Sequence, residues 1–153
     1  MNKNYEIGKI VEIQVDGSFS YAVVISEPLV AFSKTFFDTP QTDFNEIFSD
    51  DTFYIWIMKY ALGRNGWKKV GFLNNHSILA SKPEFFKFDL IAKVFSIYDG
   101  VNEKRATFEE CANLECAAVW DPHHVEDRLL ALRDGKTCKW DKSLSASKYN
   151  KSN

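Results

Sequence analysis

The chain has 153 residues, 45% of them hydrophobic and 26% charged, with a net charge of −2 at neutral pH. That length supports one sizeable core, and so balanced a charge excludes a global electrostatic drive toward nucleic acid or anionic membrane. No apolar run approaches the roughly 18 residues needed to cross a bilayer, and the opening MNKNYEIGKIVEI has no signal-peptide pattern, so a cytoplasmic protein is expected.

The first half reads as strands. Aromatic residues make up 15% of the chain, including 13 Phe, and such rings suit a pleated, well-filled core. Residues 10–15 (IVEIQV) and 18–25 (SFSYAVVI) flank Asp16-Gly17, a pair that favours the positive φ angles of a tight hairpin. Alternation in the second segment predicts Phe19, Tyr21, Val23 and Ile25 on the core side and Ser18, Ser20, Ala22 and Val24 opposite. Pro28 interrupts the run, and residues 29–32 (LVAF) resume it at a bend or edge.

Residues 38–51 are acidic and aromatic. Phe44, Ile47 and Phe48 fall at helical spacing and predict one short helix. Residues 52–62 (TFYIWIMKYAL) predict a central strand, 63–66 (GRNG) a turn, and 67–73 the antiparallel return strand. Phe85-Phe86 and 94–98 (VFSIY) are two further strands, the second ended by Asp99-Gly100.

Composition then changes. Thr107-Phe-Glu-Glu110 has the form of a capping box, opening a short helix from Phe108. Residues 116–120 (CAAVW) predict one buried strand. Asp121-Pro122 opens a second helix, with Asp as N-cap, Pro at the first helical position, Val125, Leu129 and Leu132 as its buried stripe, and Gly135 at its end. Residues 1–142 are expected to form a single domain, and 143–153 a polar, unstructured tail. The expected class is α+β: a mainly antiparallel, strongly bent sheet or partly open barrel, with its main helices near the C-terminus.

The densest chemistry lies in residues 119–128, VWDPHHVEDR. His123 and His124 point about 100° apart on a helix and do not chelate one ion well, and the HExxH spacing of a zinc protease is absent. A metal-dependent hydrolase centred on His123, His124 and Asp127 is therefore the weakest alternative. Cys111, Cys116 and Cys138 lack CxxC spacing and read as small core residues, and His76 as a solvated loop residue. Residues 103–128 carry seven carboxylates (Glu103, Glu109, Glu110, Glu115, Asp121, Glu126 and Asp127) against Lys104, Arg105 and Arg128. Such an acidic surface suits a basic protein partner. Exposed aromatics such as Tyr60, Trp67 and Phe72 are candidate contact residues. Beyond Arg133 the sign reverses with Lys136, Lys139, Lys142, Lys148 and Lys151, which keeps a nucleic-acid-binding β-barrel as the second reading.

The order of motifs resembles the immunity protein 26 family of bacterial polymorphic-toxin systems. The matching features are Gly8 ahead of the first β-hairpin in IGKIVEIQVDGSFSYAVVI, PLVAF at 28–32, WKKVG at 67–71, FFKFD at 85–89, and Leu114-Glu115 followed by AAVWDPHHVEDRL. The resemblance implies a mainly β domain that binds and neutralises a cognate protein toxin, with no catalysis and no cofactor. On that reading the candidate toxin-binding residues are Asp43, Glu46, Asp50 and Asp51 in the acidic insert, with Glu109, Glu110, His123, Glu126 and Asp127 in the later acidic surface.

Overall fold

The computed structural model describes residues 3–149, and the chain separates into two compact units. The first takes the chain up to Ser81 together with Val119–Lys136, and the second takes Lys82–Ala118 and the chain from Thr137 onward. The span read as one domain is thus shared between two units with no Gly/Pro-rich linker between them. The class is α+β with mainly antiparallel pairing, as the strand patterning indicates; the strands form one six-stranded and one four-stranded sheet, neither closed into a barrel.

In the first unit, β1 (Lys9–Val15) and β2 (Ser18–Val24) pair antiparallel around Asp16 and Gly17, whose φ angles of 47° and 79° are those the hairpin needs. β3 (Leu29–Ser33) follows and is buried along its whole length. In β2, Ser20, Ala22 and Val24 are as fully buried as Tyr21 and Val23. The expected one-sided alternation fails because β2 is an inner strand covered on both faces, where burial no longer sorts residues by parity.

The acidic insert contributes α1 (Phe44–Ile47), and β4 (Thr52–Ile57) pairs antiparallel with β3. The chain then turns through a 3-10 segment at Lys59–Leu62 and enters β5 (Lys68–Phe72). β5 is not the return strand of β4. It pairs antiparallel with β1 at the opposite edge of the sheet, with a register shift between Ile10 and Val11. The turn at 63–66 therefore serves a connection across the sheet.

The second unit begins with β6 (Phe85–Asp89), β7 (Val94–Tyr98) and β8 (Glu103–Ala106), joined antiparallel. The sequence EKRA carries little strand propensity, and β8 forms because its backbone completes the ladder with β7. As an edge strand of exposed charges it resists further pairing. α2 (Phe108–Cys111) starts at the expected capping box, with Thr107 Oγ1 accepting from Glu110 N and Glu110 Oε1 from Thr107 N. β9 (Glu115–Cys116) then lies parallel to β6.

The strand expected at 116–120 is split at Ala117-Ala118: β9 belongs to the second unit, whereas β10 (Val119–Trp120) lies parallel to β4 in the first. α3 (Pro122–Arg133) begins as expected, with Asp121 as N-cap and Pro122 at the first position. Val125 and Leu129 are fully buried, but Leu132 is 38% exposed, so the buried stripe ends one turn early. Gly135, at φ 68°, closes the helix end.

The last stretch is ordered further than its composition indicates. It forms α4 (Lys139–Ser143) and a 3-10 turn at Ala146–Tyr149. Ala146 is buried in the second core with Phe86, Phe95, Ile97 and Cys111, and the Tyr149 ring stacks on Phe88 at 4.5 Å. The expectation of an unstructured tail is thus corrected for 143–149: one small residue and one ring find an aromatic cluster to bury against. Residues 150–153, including Lys151, lie outside the described residues. No helix among the described residues is long and apolar enough to cross a membrane.

Candidate functional site

The site begins where β4 and β10 run side by side at one edge of the first sheet. The Met58 amide donates to Trp120 O, which continues the strand pairing and brings residues 58–60 beside 119–121. Asp121 stands at the junction. Its Oδ1 accepts from the His123 amide at 2.8 Å and its Oδ2 accepts the hydroxyl of Tyr60. Those two bonds, the phenol's first, hold the Asp121 carboxyl below the usual range, and the same contact raises the Tyr60 phenol.

One turn along α3, Glu126 Oε2 accepts from Trp67 Nε1 at 2.9 Å, while Oε1 lies 3.8 Å from His123 Nδ1. Trp67 in turn meets Phe32 edge-on at 5.8 Å, and Phe32 stacks on Phe53 at 5.2 Å. The Arg128 guanidinium lies over the Phe53 ring at 4.1 Å and nearer the helix end Arg133 clamps the first hairpin, donating to Val15 O, Asp16 O, Ser18 Oγ and Asp16 Oδ2. The polar face of α3 thus fastens the helix to the sheet. His123 and Asp127 are exposed, His124 and Glu126 half-buried, and among the described residues no group of three or more His, Cys, Asp or Glu side chains is placed to hold a metal ion.

Between Asp121 and Glu126 the helix pins both ends of the 58–67 loop, through Tyr60 and Trp67. A third anchor comes from β1: the buried Lys9 ammonium donates to Leu62 O at 2.8 Å and to Asn4 O at 3.3 Å. Inside the loop the Trp67 amide donates to Ala61 O at 2.7 Å, and a Cβ on Gly66 would come within 2.0 Å of that same carbonyl oxygen. Only glycine permits so tight a fold-back. On this rigid frame Met58, Tyr60 and Val119 are 37%, 51% and 48% exposed, an apolar and aromatic edge. Sequence reasoning singled out Tyr60 but missed Met58 and Val119. The parallel pairing of β4 with β10 unites them across some sixty residues of chain, and no local pattern announces it.

The candidate carboxylates of the acidic insert, Asp43, Glu46, Asp50 and Asp51, are all exposed. Asp43 precedes α1 without a side-chain cap bond, Glu46 lies within it, and Asp50 accepts from Thr35 Oγ1 at 3.4 Å and from the Asp51 amide. This segment is braced by His76, which is not merely solvated. Its Nδ1 accepts from the Ile78 amide, placing the ring proton on Nε2, which lies 3.0 Å from Asn45 O and from Ser49 Oγ. Asp43, Glu46, Asp50 and Asp51 are therefore brought together on one supported loop, as His123 and Glu126 are on α3. Glu109 and Glu110 belong to the second unit, where Glu110 is committed to the capping box. Of the basic residues, Lys136 ends the first unit, whereas Lys139, Lys142 and Lys148 lie in the second. Cys111 and Cys138 are buried and Cys116 half-buried, all as free thiols, and burial raises the Cys111 and Cys116 thiols. Set against protein-family models, curated proteins and solved structures, the chain matches none.

Proposed function

We propose that this chain is an immunity protein that binds a cognate bacterial toxin one to one and blocks it by occupying the toxin's active site or the surface beside it. The observation that supports binding is the exposed Met58, Tyr60 and Val119 edge, held on a frame fixed by three separate anchors. A rigid patch loses little entropy on association, and Met and Tyr are among the residues enriched at interface centres. Around such a centre, the exposed carboxylates of 43–51 and Asp127 on α3 would form a charged rim that speeds encounter with a basic partner. The identity of the partner as a toxin rests on the resemblance carried by Leu114-Glu115 and AAVWDPHHVEDRL.

Co-expression with the product of the gene immediately upstream, which the reading requires to carry a toxin domain, tests it. Growth rescue and a co-purified complex are expected, and neither appearing would overturn it. Met58→Asp and Val119→Asp change exposed side chains and leave the anchors in place. Together they are expected to weaken the complex by at least 2 kcal/mol, about thirtyfold in Kd, with the thermal midpoint of the free protein unchanged.

A further inference from the structure

The inner side of the 58–67 loop carries a different chemistry from its exposed edge. Between the start of β1, this loop and β5 opens a cleft of about 560 Å3, whose wall includes Lys9, Arg64, Lys68 and Lys69 with Glu6 as the carboxylate. These four cations come from three separate stretches of chain. Arg64 and Lys69 have no ion-paired carboxylate among the described residues. The Lys9 side chain is buried, its recorded hydrogen bonds go to backbone carbonyls, and burial, then the neighbouring Lys69, lowers its pKa against the opposing pull of Glu6. Arg64 is exposed and has no hydrogen bond or ion pair among the described residues. Lys68 has Glu12 behind it at 4.0 Å, and Lys69 lies over the Phe72 ring at 4.3 Å. The remaining wall is stiff, because Trp67 is fixed by Glu126 and Phe32, and Gly63 and Gly66 belong to the folded-back loop.

We propose that this cleft binds an oligophosphate-bearing small molecule, with Arg64 and Lys69 as the principal phosphate contacts and Lys9 as the charge beneath them. Gathering like charges around a part-buried ammonium is unfavourable until a multiply charged anion neutralises them. A planar guanidinium meets phosphate oxygens in pairs, and lysine ammoniums supply point charges at either side. The site does not depend on the toxin-binding reading, whose contact residues lie on the loop's exposed edge and the acidic segments.

Titration calorimetry on the full chain at low salt, with inorganic tripolyphosphate, is the direct test. Saturable binding that weakens on adding salt is expected, as is a loss of at least tenfold in affinity in the Arg64→Ala/Lys69→Ala double variant. Both side chains are exposed, and an unchanged circular dichroism spectrum establishes that the variant is folded; Lys9 is left intact because it holds the loop. ATP binding as well as or better than tripolyphosphate supports the assignment, the better case adding a base contact at Trp67. No binding of tripolyphosphate, equal binding by the double variant, or equal affinity for citrate would each overturn it.

Discussion

The two sheets of this protein are built on different principles. In the first, β1, β2 and β3 are buried nearly end to end, with Ile10, Val11, Ile13, Tyr21, Val23, Val30 and Phe32 all at or near zero exposure. In the second, β7 buries only alternate residues, β8 buries none fully, and the core of five buried residues is filled out by half-buried rings at Phe88, Phe108 and Tyr149. The first sheet is held mainly by apolar area covered on both faces. The second relies on ring-on-ring contacts and on side chains that fix its turns. Two sheets of similar strand length can therefore differ in how much any single residue carries.

The sharpest test of that difference is a matched pair of truncations. Phe32→Ala removes a fully buried ring from between Phe53 and Trp67 and should cost about 3–5 kcal/mol, read by urea unfolding. In hydrogen exchange it should lower protection in β1–β4 by a similar amount and still leave it measurable, because many buried residues remain. Phe86→Ala removes a comparable ring from the smaller cluster and should abolish protection in β6, β7 and β8 altogether. Persisting protection of the β7 amides would show the second core to be deeper than its contacts imply.

That contrast also explains which parts of the fold were legible in sequence. Strand propensity, the Asp16-Gly17 turn, the Thr107 capping box and the Asp121-Pro122 helix start are local signals, and each appears where it was read. Pairing is not local. β5 follows β4 through a turn rich in glycine, yet its partner is β1, because the edge of β1 is where its backbone groups are satisfied. The parity of β2 misled for a related reason: alternation reports one covered face, and this strand has two. Residues 116–120 look like one apolar run because Ala117-Ala118, where the chain passes from one sheet to the other, is as apolar as the strands it joins. The candidate site followed the same rule. Asp121, Glu126 and Tyr60 were visible as chemistry, but their partners were not, and Lys9 in a run of β-formers gave no sign that it would be buried beneath a loop fifty residues away.

Smaller perturbations separate the two principles within each unit. Gly66→Ala places a methyl against the Ala61 carbonyl, so the loop must open. A loss of about 1–3 kcal/mol is expected, with Trp67 fluorescence shifted as its bond to Glu126 is strained. In the second unit Tyr149→Ala should cost about 1–2 kcal/mol, the stacking on Phe88 plus part of a buried ring, read as a lower thermal midpoint. Tyr149→Phe keeps the ring and should recover most of that loss. If it does not, the hydroxyl rather than the stack is what the second unit uses.

The smallest effect is also the one that only the second sheet should show at its hairpins. Both of its turns are organised by an aspartate: Asp89 Oδ1 accepts from the amides of Ala92 and Ile91, and Asp99 Oδ1 from those of Asn102 and Val101. In each case the paired amides hold the carboxyl below its ordinary value, and the Ser96 hydroxyl followed by Lys87 does the same for Glu103 on β8. A carboxyl whose folded pKa is depressed stabilises the fold fully above its unfolded value, near pH 4. Below that value the unfolded chain takes up protons first, and the contribution drains away until the folded carboxyl protonates too. Acidification from pH 5 to pH 2, the order of range over which exposed carboxyls titrate, should therefore loosen the 89–93 and 99–102 turns. The first hairpin, built on the positive φ angles of Asp16 and Gly17 and held by Arg133, has no such aspartate-to-amide pair in its turn. Amide exchange corrected for intrinsic rates, compared between wild type and Asp99→Asn, isolates the effect. The variant keeps one acceptor but cannot titrate, so its 99–102 turn should start less protected and change less with acid. Equal acid sensitivity in the two proteins would mean that the carboxylate's charge adds nothing beyond the shape of the turn.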